Sequence, residues 1–161
     1  MTDEIAIRDA TVADAAAIQA MLAALAVDLG TPDAAKSTVS TIEAAGFGEE
    51  PDFRVVIAEA KDRPIGFALY FPEFSTWRGK RGLYIQDLFV DAAFRSFGVG
   101  EMLVGAVAAR AAARGAVYIK LAVDAANVKA ARFYDRLGFE EAKSDRIMVL
   151  EGAAFDASTK I

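Results

Sequence analysis

Arg95-Ser96-Phe97-Gly98-Val99-Gly100 is the stretch on which the fold turns. Just before it, Leu83 to Val90 is a β-branched and aromatic run that predicts a strand. Just after it, from about Gly98 to Arg114, the apolar residues switch to helical spacing. A turn between strand and helix puts the first free N–H groups of the helix, and the positive end of its dipole, where an anion can reach them. Gly98 and Gly100 leave out side chains where a diphosphate would approach the backbone, and Arg95 adds a fixed positive charge. Two readings fit the hexapeptide in isolation: a phosphate seat, and a glycine-containing helix start that binds nothing. The loop G-x-x-x-x-G-K-[ST] is absent, and no G-x-G-x-x-G follows a strand.

The flanking patterns supply the rest of a domain. Phe53 to Ala60 and Ile65 to Phe71 read as strands joined by the turn Lys61-Asp62-Arg63-Pro64, and Ile5 to Ile7 as a short first strand. Thr11 precedes an alanine-rich helix carrying Ile18, Met21, Leu22, Leu25 and Leu29. A second helix is predicted from about Asp33 to Ala45, stopped by Gly46. Beyond the hexapeptide come a strand at Val117 to Val123, a helix from about Val128 to Leu137, and short strands near Phe139 to Ala142 and Arg146 to Leu150. This order predicts an α/β (α+β) fold with a mixed, largely antiparallel sheet of about seven strands and about four helices. With no repeat or linker, residues 1–161 read as one domain.

Composition narrows the chemistry. The chain has 161 residues, 55% of them apolar, and a formal net charge of -5, which disfavours nucleic acid as the main partner and suits an amine guest. Cysteine and histidine are both absent, which removes thiol nucleophiles, imidazole bases and the usual zinc ligand sets, so no metal is expected. Any acid or base must be a carboxylate, tyrosine, lysine or water. The acidic start Met1-Thr2-Asp3-Glu4 is unlike a signal peptide, and the apolar runs fall short of a membrane span. The expectation is a cytoplasmic protein that does not enter the membrane.

Three more positions stand out. Gln86 and Asp87 interrupt an apolar strand, and a carboxylate there suits an ammonium; a pair at a strand edge or bulge facing solvent fits equally. Asn127 precedes Val128 as a helix N-cap would. Ala130, Phe133, Tyr134 and Leu137 form an apolar helical face, on which Tyr134 reads as a core aromatic or as a proton donor that stays protonated at neutral pH.

The hexapeptide with its flanking strand resembles the GNAT N-acetyltransferases, whose pyrophosphate loop reads Arg or Gln, two residues, Gly, one residue, Gly or Ala. Gly46-Phe47-Gly48-Glu49, Ile65-Gly66-Phe67-Ala68, Trp77 with Gly79-Lys80, the Leu83 to Val90 strand and Asn127 to Tyr134 are similar to the spermidine/spermine (diamine) and thialysine acetyltransferase group. The resemblance implies acetyl-CoA as cosubstrate, a small-molecule amine as acceptor, and a homodimer. It implies backbone contacts to the pantetheine arm from Leu88, Phe89 and Val90, and a loop of Arg95, Ser96, Phe97, Gly98, Val99, Gly100 and Glu101 on the pyrophosphate. Asn127, Ala130, Phe133 and Tyr134 fall on the cofactor side, with Tyr134 beside the thioester sulfur as general acid. Gln86 and Asp87 fall on the amine side.

The sequence departs from the diamine enzymes at Gln86, where they carry glutamate, and at Leu29, where they have another acid. Lower local negative charge puts a polyamine acceptor in doubt. Two alternatives to small-molecule transfer remain: an acyl-CoA-binding or sensing domain without turnover, and a protein N-acetyltransferase.

Overall fold

In the computed structural model, which describes residues 4–160, the chain divides into two units, 4–122 and 123–160. The acidic start at residues 1–3 lies outside the described residues. The larger unit is built on a sheet in the order β1 (Ile5–Asp9), β2 (Arg54–Ala60), β3 (Arg63–Ser75), β4 (Lys80–Val90) and β5 (Ala116–Leu121). The first four strands pair antiparallel and β5 joins β4 in parallel. A parallel neighbour requires a crossover, and the helix after the hexapeptide supplies it.

The turn between β2 and β3 is tighter than the sequence suggests. Only Lys61 and Asp62 form it, with φ of 50° and 60°, the two left-handed residues that match the twist of a hairpin. Arg63 and Pro64 are strand residues, Pro64 opposite Glu59 beside a bulge at Ala58/Glu59, a place where a missing N–H is tolerated. At the far end, the β3–β4 turn carries the single tryptophan, Trp77, fully exposed.

Both faces of the sheet are covered. After a short 3-10 turn at Val12–Asp14 come α1 (Ala15–Asp28) and α2 (Val39–Phe47). Their Ala15, Ile18, Met21 and Ile42 pack on Val55, Ile57, Phe67, Leu69 and Phe89. The alternate residues Val56, Ala58 and Ala68 are equally buried on the opposite face, as period-two side chains require. There α3 (Val99–Ala112) lays down Val99, Leu103, Val107 and Ala111, one stripe at four-residue spacing. Gly66 permits that approach: a Cβ would sit 2.7 Å from the Phe89 carbonyl oxygen and 3.3 Å from Leu103 Cδ1.

Gly46 does not stop the second helix, which begins later and runs through to Phe47. The ring of Phe53 occupies the space a Cβ at residue 46 would need, at 2.5 Å, so this glycine serves packing. At the foot of β1, Arg8 holds Asp14 by two bonds of 2.8 and 2.9 Å and Glu59 by one of 2.9 Å. That fork keeps the buried Asp14 carboxyl below the ordinary carboxylate range despite its desolvation.

The smaller unit has α4 (Val128–Arg136) and α5 (Gly152–Ser158), giving five helices and five strands among the described residues. The strands expected near residues 139–142 and 146–150 are not formed. Phe139 instead completes the stop of α4: Gly138 is left-handed (φ 92°), its N–H donates to Asp135 O, and the Phe139 N–H donates to Tyr134 O at 3.1 Å. This is a Schellman arrangement, and its usual apolar contact is the edge-on packing of Phe139 on Tyr134, with ring centroids 5.3 Å apart. Ile147 to Leu150 remain exposed; strand propensity without a partner strand leaves backbone groups unpaired and makes no sheet.

Candidate functional site

β4 is interrupted where the sequence places its polar pair. Leu69 stands opposite Asp87 and Tyr70 opposite Ile85, so Gln86 is the extra residue of a β-bulge. Gln86 is exposed. Asp87 lies half-buried opposite Leu69, on the face where α1 and α2 pack, and burial raises its carboxyl above the ordinary value.

The bulge also ends the pairing of β4 with β5. Ile85 opposite Leu121 is the last parallel pair, so the backbone from Gln86 to Val90 has no strand on that side among the described residues. Which groups line this open edge follows from register. The Asp91 N–H donates to Ile65 O at 2.7 Å, so the residues bonded to β3 recur at Phe89 and Asp87. Leu88 and Val90 then aim their N–H and C=O groups at the open side. Phe89 sits in the core with its backbone in the β3 ladder, so of the three Leu88 and Val90 turn their backbone to the open edge, where the Val90 carbonyl accepts from Arg95.

The hexapeptide follows at once. Asp91 holds the chain as it leaves the strand, accepting from Ala93 N–H at 3.0 Å and from Arg63 at 2.9 Å. Ser96 and Gly98 are both left-handed, φ 72° and 76°, and Gly98 stands at the N-cap of α3. No side chain caps this helix, and its first internal bond is Met102 N–H to Gly98 O at 3.0 Å. The N–H groups of Val99, Gly100 and Glu101 therefore lie ahead of the helical ladder, at the positive end of its dipole. Val99 is buried and anchors the turn, while Ser96, Phe97 and Gly98 are exposed.

Arg95 is engaged within the protein. Its Nε donates to Val90 O at 2.9 Å and its Nη2 pairs with Asp28 at the end of α1. Leu29, the next residue, is exposed. The guanidinium therefore ties the loop to the last carbonyl of β4 and to α1, a tie that residue spacing alone does not signal.

In the smaller unit, the Asn127 side chain accepts from Ala130 N–H at 3.1 Å, the N-cap geometry its position suggested. Tyr134 is flanked edge-on by Phe133 and Phe139, at 5.1 and 5.3 Å. Burial pushes its hydroxyl up to about 12, so it stays protonated across the neutral range. Among the described residues no group of carboxylates could hold a metal ion, and no helix is long and apolar enough to cross a membrane.

Residues 19–139 match the sequence profile of the Acetyltransferase (GNAT) family. The thialysine N-epsilon-acetyltransferase of Sus scrofa is 34% identical over 140 residues, covering 82% of each chain. The L-ornithine N5-acetyltransferase of Arabidopsis thaliana is 32% identical over 115 residues, 70% of this chain and half of that one. Among solved structures, an integron cassette protein from V. cholerae superimposes with a TM-score of 0.82 over 98% of both chains at 20% identity, a likeness of fold.

Proposed function

This chain belongs to the GNAT acetyltransferase family, and from that premise we propose that it moves the acetyl group of acetyl-CoA to the terminal primary amine of a small, amino-acid-like molecule. One observation carries the reading: the open backbone edge at Leu88 and Val90 leads directly into the uncapped start of α3. An extended amide-bearing arm fits the first, and a diphosphate fits the second.

Both substrates bind together and the amine nitrogen attacks the thioester carbon directly; without cysteine or histidine the chain has few groups that could carry an acyl intermediate. As the nitrogen–carbon bond forms, negative charge grows on the acetyl oxygen, and the Leu88 N–H is assigned to it. The carbon–sulfur bond then breaks, Tyr134 is assigned to give the departing thiolate its proton, and the second proton that the nitrogen sheds on becoming an amide restores the tyrosine through water. The amine arrives as an ammonium, and Asp87, with its raised pKa, is assigned to accept that proton through water. Gln86 contributes no charge, so one carboxylate faces the amine. That favours a single terminal amine over a polyamine, in keeping with the thialysine and ornithine named for the relatives. The protein is further proposed to act in the cytoplasm as a homodimer.

A free-thiol release assay with acetyl-CoA, run against ornithine, thialysine, lysine, putrescine, spermidine and an aminoglycoside, tests the proposal. The amino acids are expected to give the highest kcat/KM. Coenzyme A binding without thiol release for any amine would replace the enzyme by a sensing domain. In the same assay Tyr134→Phe is expected to lower kcat about 10²-fold with KM for acetyl-CoA little changed.

A further inference from the structure

The larger unit contains a cavity of about 620 Å³ away from the open edge of β4, within the ~300–1,000 Å³ range of small-molecule pockets. It lies by the C-terminal end of α3, where Arg110, Ala111 and Arg114 form part of its wall. The uncapped start of the same helix is about 21 Å away along its axis. On β4 the cavity reaches up to Leu83, four residues or about 13 Å short of Asp87. It is thus separate from Asp87 and from the start of α3.

Its charge is unusual for an acidic chain. Arg54, Arg81, Arg110 and Arg114 line it, against Asp9 as the one carboxylate among the described lining residues. Asp9 is committed to Arg110, at 2.6 Å from Nε. Arg54, Arg81 and Arg114 make no ion pair and no side-chain hydrogen bond among the described residues. All three are exposed, so their charges stand in solvent at the cavity wall, free to pair with an anion.

Tyr70 adds a polar group on the wall. The residue is buried, its hydroxyl makes no hydrogen bond among the described residues, and yet no buried side-chain polar atom among them lacks a partner. Its hydroxyl therefore opens into the cavity. Burial raises its pKa, with Asp9 raising it further and Arg110, Arg54 and Arg114 pulling the other way, so these charges act on one point. Phe47, Pro72 and Leu83 supply an apolar side.

We propose that this cavity is a second binding site, which takes a small organic anion carrying two or more carboxylate or phosphate groups on a compact, partly apolar body. Arginine forks grip such groups bidentately, the Tyr70 hydroxyl donates to one of them, and the apolar wall covers the rest. The site is independent of acetyl transfer: its ligand binds whether or not the donor site is filled.

Isothermal titration with citrate and, separately, inorganic pyrophosphate distinguishes carboxylate from phosphate preference, with sodium chloride at matched ionic strength as blank. Each titration is run with and without saturating coenzyme A. Saturable one-to-one binding of at least one anion is expected, unaffected by coenzyme A and weakened at least tenfold in Arg81→Gln/Arg114→Gln. Arg54→Gln provides a second variant if the double one does not fold, and both should bind coenzyme A as the parent does. The proposal is overturned by the absence of saturable heat for both anions, by equal binding in the variants, or by binding that coenzyme A abolishes, which would place the anion at the start of α3.

Discussion

The starts of α2 and α3 make opposite use of the same backbone problem. Every helix begins with N–H groups that have no partner inside it. At α2, Thr38 and Thr41 solve this reciprocally: Thr41 N–H donates to Thr38 Oγ1 at 3.2 Å and Thr38 N–H donates to Thr41 Oγ1 at 2.7 Å. At α3 the corresponding place is a left-handed glycine with no side chain to offer. The first start is finished within the folded chain; the second stays open, and the proposed function is what gives it an anion to meet.

Substitutions can break that contrast. The largest effect is expected at the strand edge. Leu88→Pro deletes the one N–H assigned to the acetyl oxygen, at a position whose N–H the β3 ladder does not use, and should lower kcat about 10²–10³-fold. Leu88→Ala keeps the N–H and should keep most of the rate; equal losses in the two variants would remove the backbone from the mechanism.

Next comes Asp87→Asn, expected to lower kcat about 10²-fold while raising thermal stability at neutral pH. The sign follows from linkage. A carboxyl whose pKa is raised by burial favours the folded state when protonated, so that contribution is present below the ordinary carboxylate pKa and is lost as pH rises through the raised value. The asparagine variant should therefore melt higher than the parent at pH 7 and alike at about pH 3. A variant that melts lower at pH 7 contradicts a desolvated Asp87.

Gly98→Ala should raise KM for acetyl-CoA about tenfold with kcat nearly constant, since a Cβ at φ 76° costs about 1–2 kcal/mol and turns the free N–H groups aside. Gly98→Asn, which tolerates that conformation, should lie between. Thr38→Ala is expected to cost about 1 kcal/mol of stability in a chemical denaturation series and to leave kcat and KM unchanged. Loss of activity there would show that the capped helix also serves the site.

Much of this contrast is visible in the residues. Near-continuous β-branched and aromatic runs locate β2, β3 and β4 because these strands bury residues on both faces, and the hexapeptide locates the helix start because glycine sits comfortably at the left-handed residue 98. Four features depend on contacts that spacing does not encode. Gln86-Asp87 reads as a polar interruption, but whether it is a bulge depends on the register of β3 opposite. Gly46 reads as a helix stop until the ring of Phe53 is seen against it. The run near residues 139–150 has strand composition, yet Phe139 is drawn onto Tyr134 to close α4, and the rest finds no partner. Arg95 is the clearest case at the site, its charge legible and its partner Asp28, 67 residues away, not.

Trp77 decides how these melts should be followed. Its indole is fully hydrated at the tip of the β3–β4 hairpin, so emission from the native protein already has the colour of an unfolded chain, and denaturation by that signal is nearly silent. Backbone dichroism of the sheet, or a new indole placed in the core, reports the transition; the natural one is better kept as a quenching probe for whatever touches the hairpin.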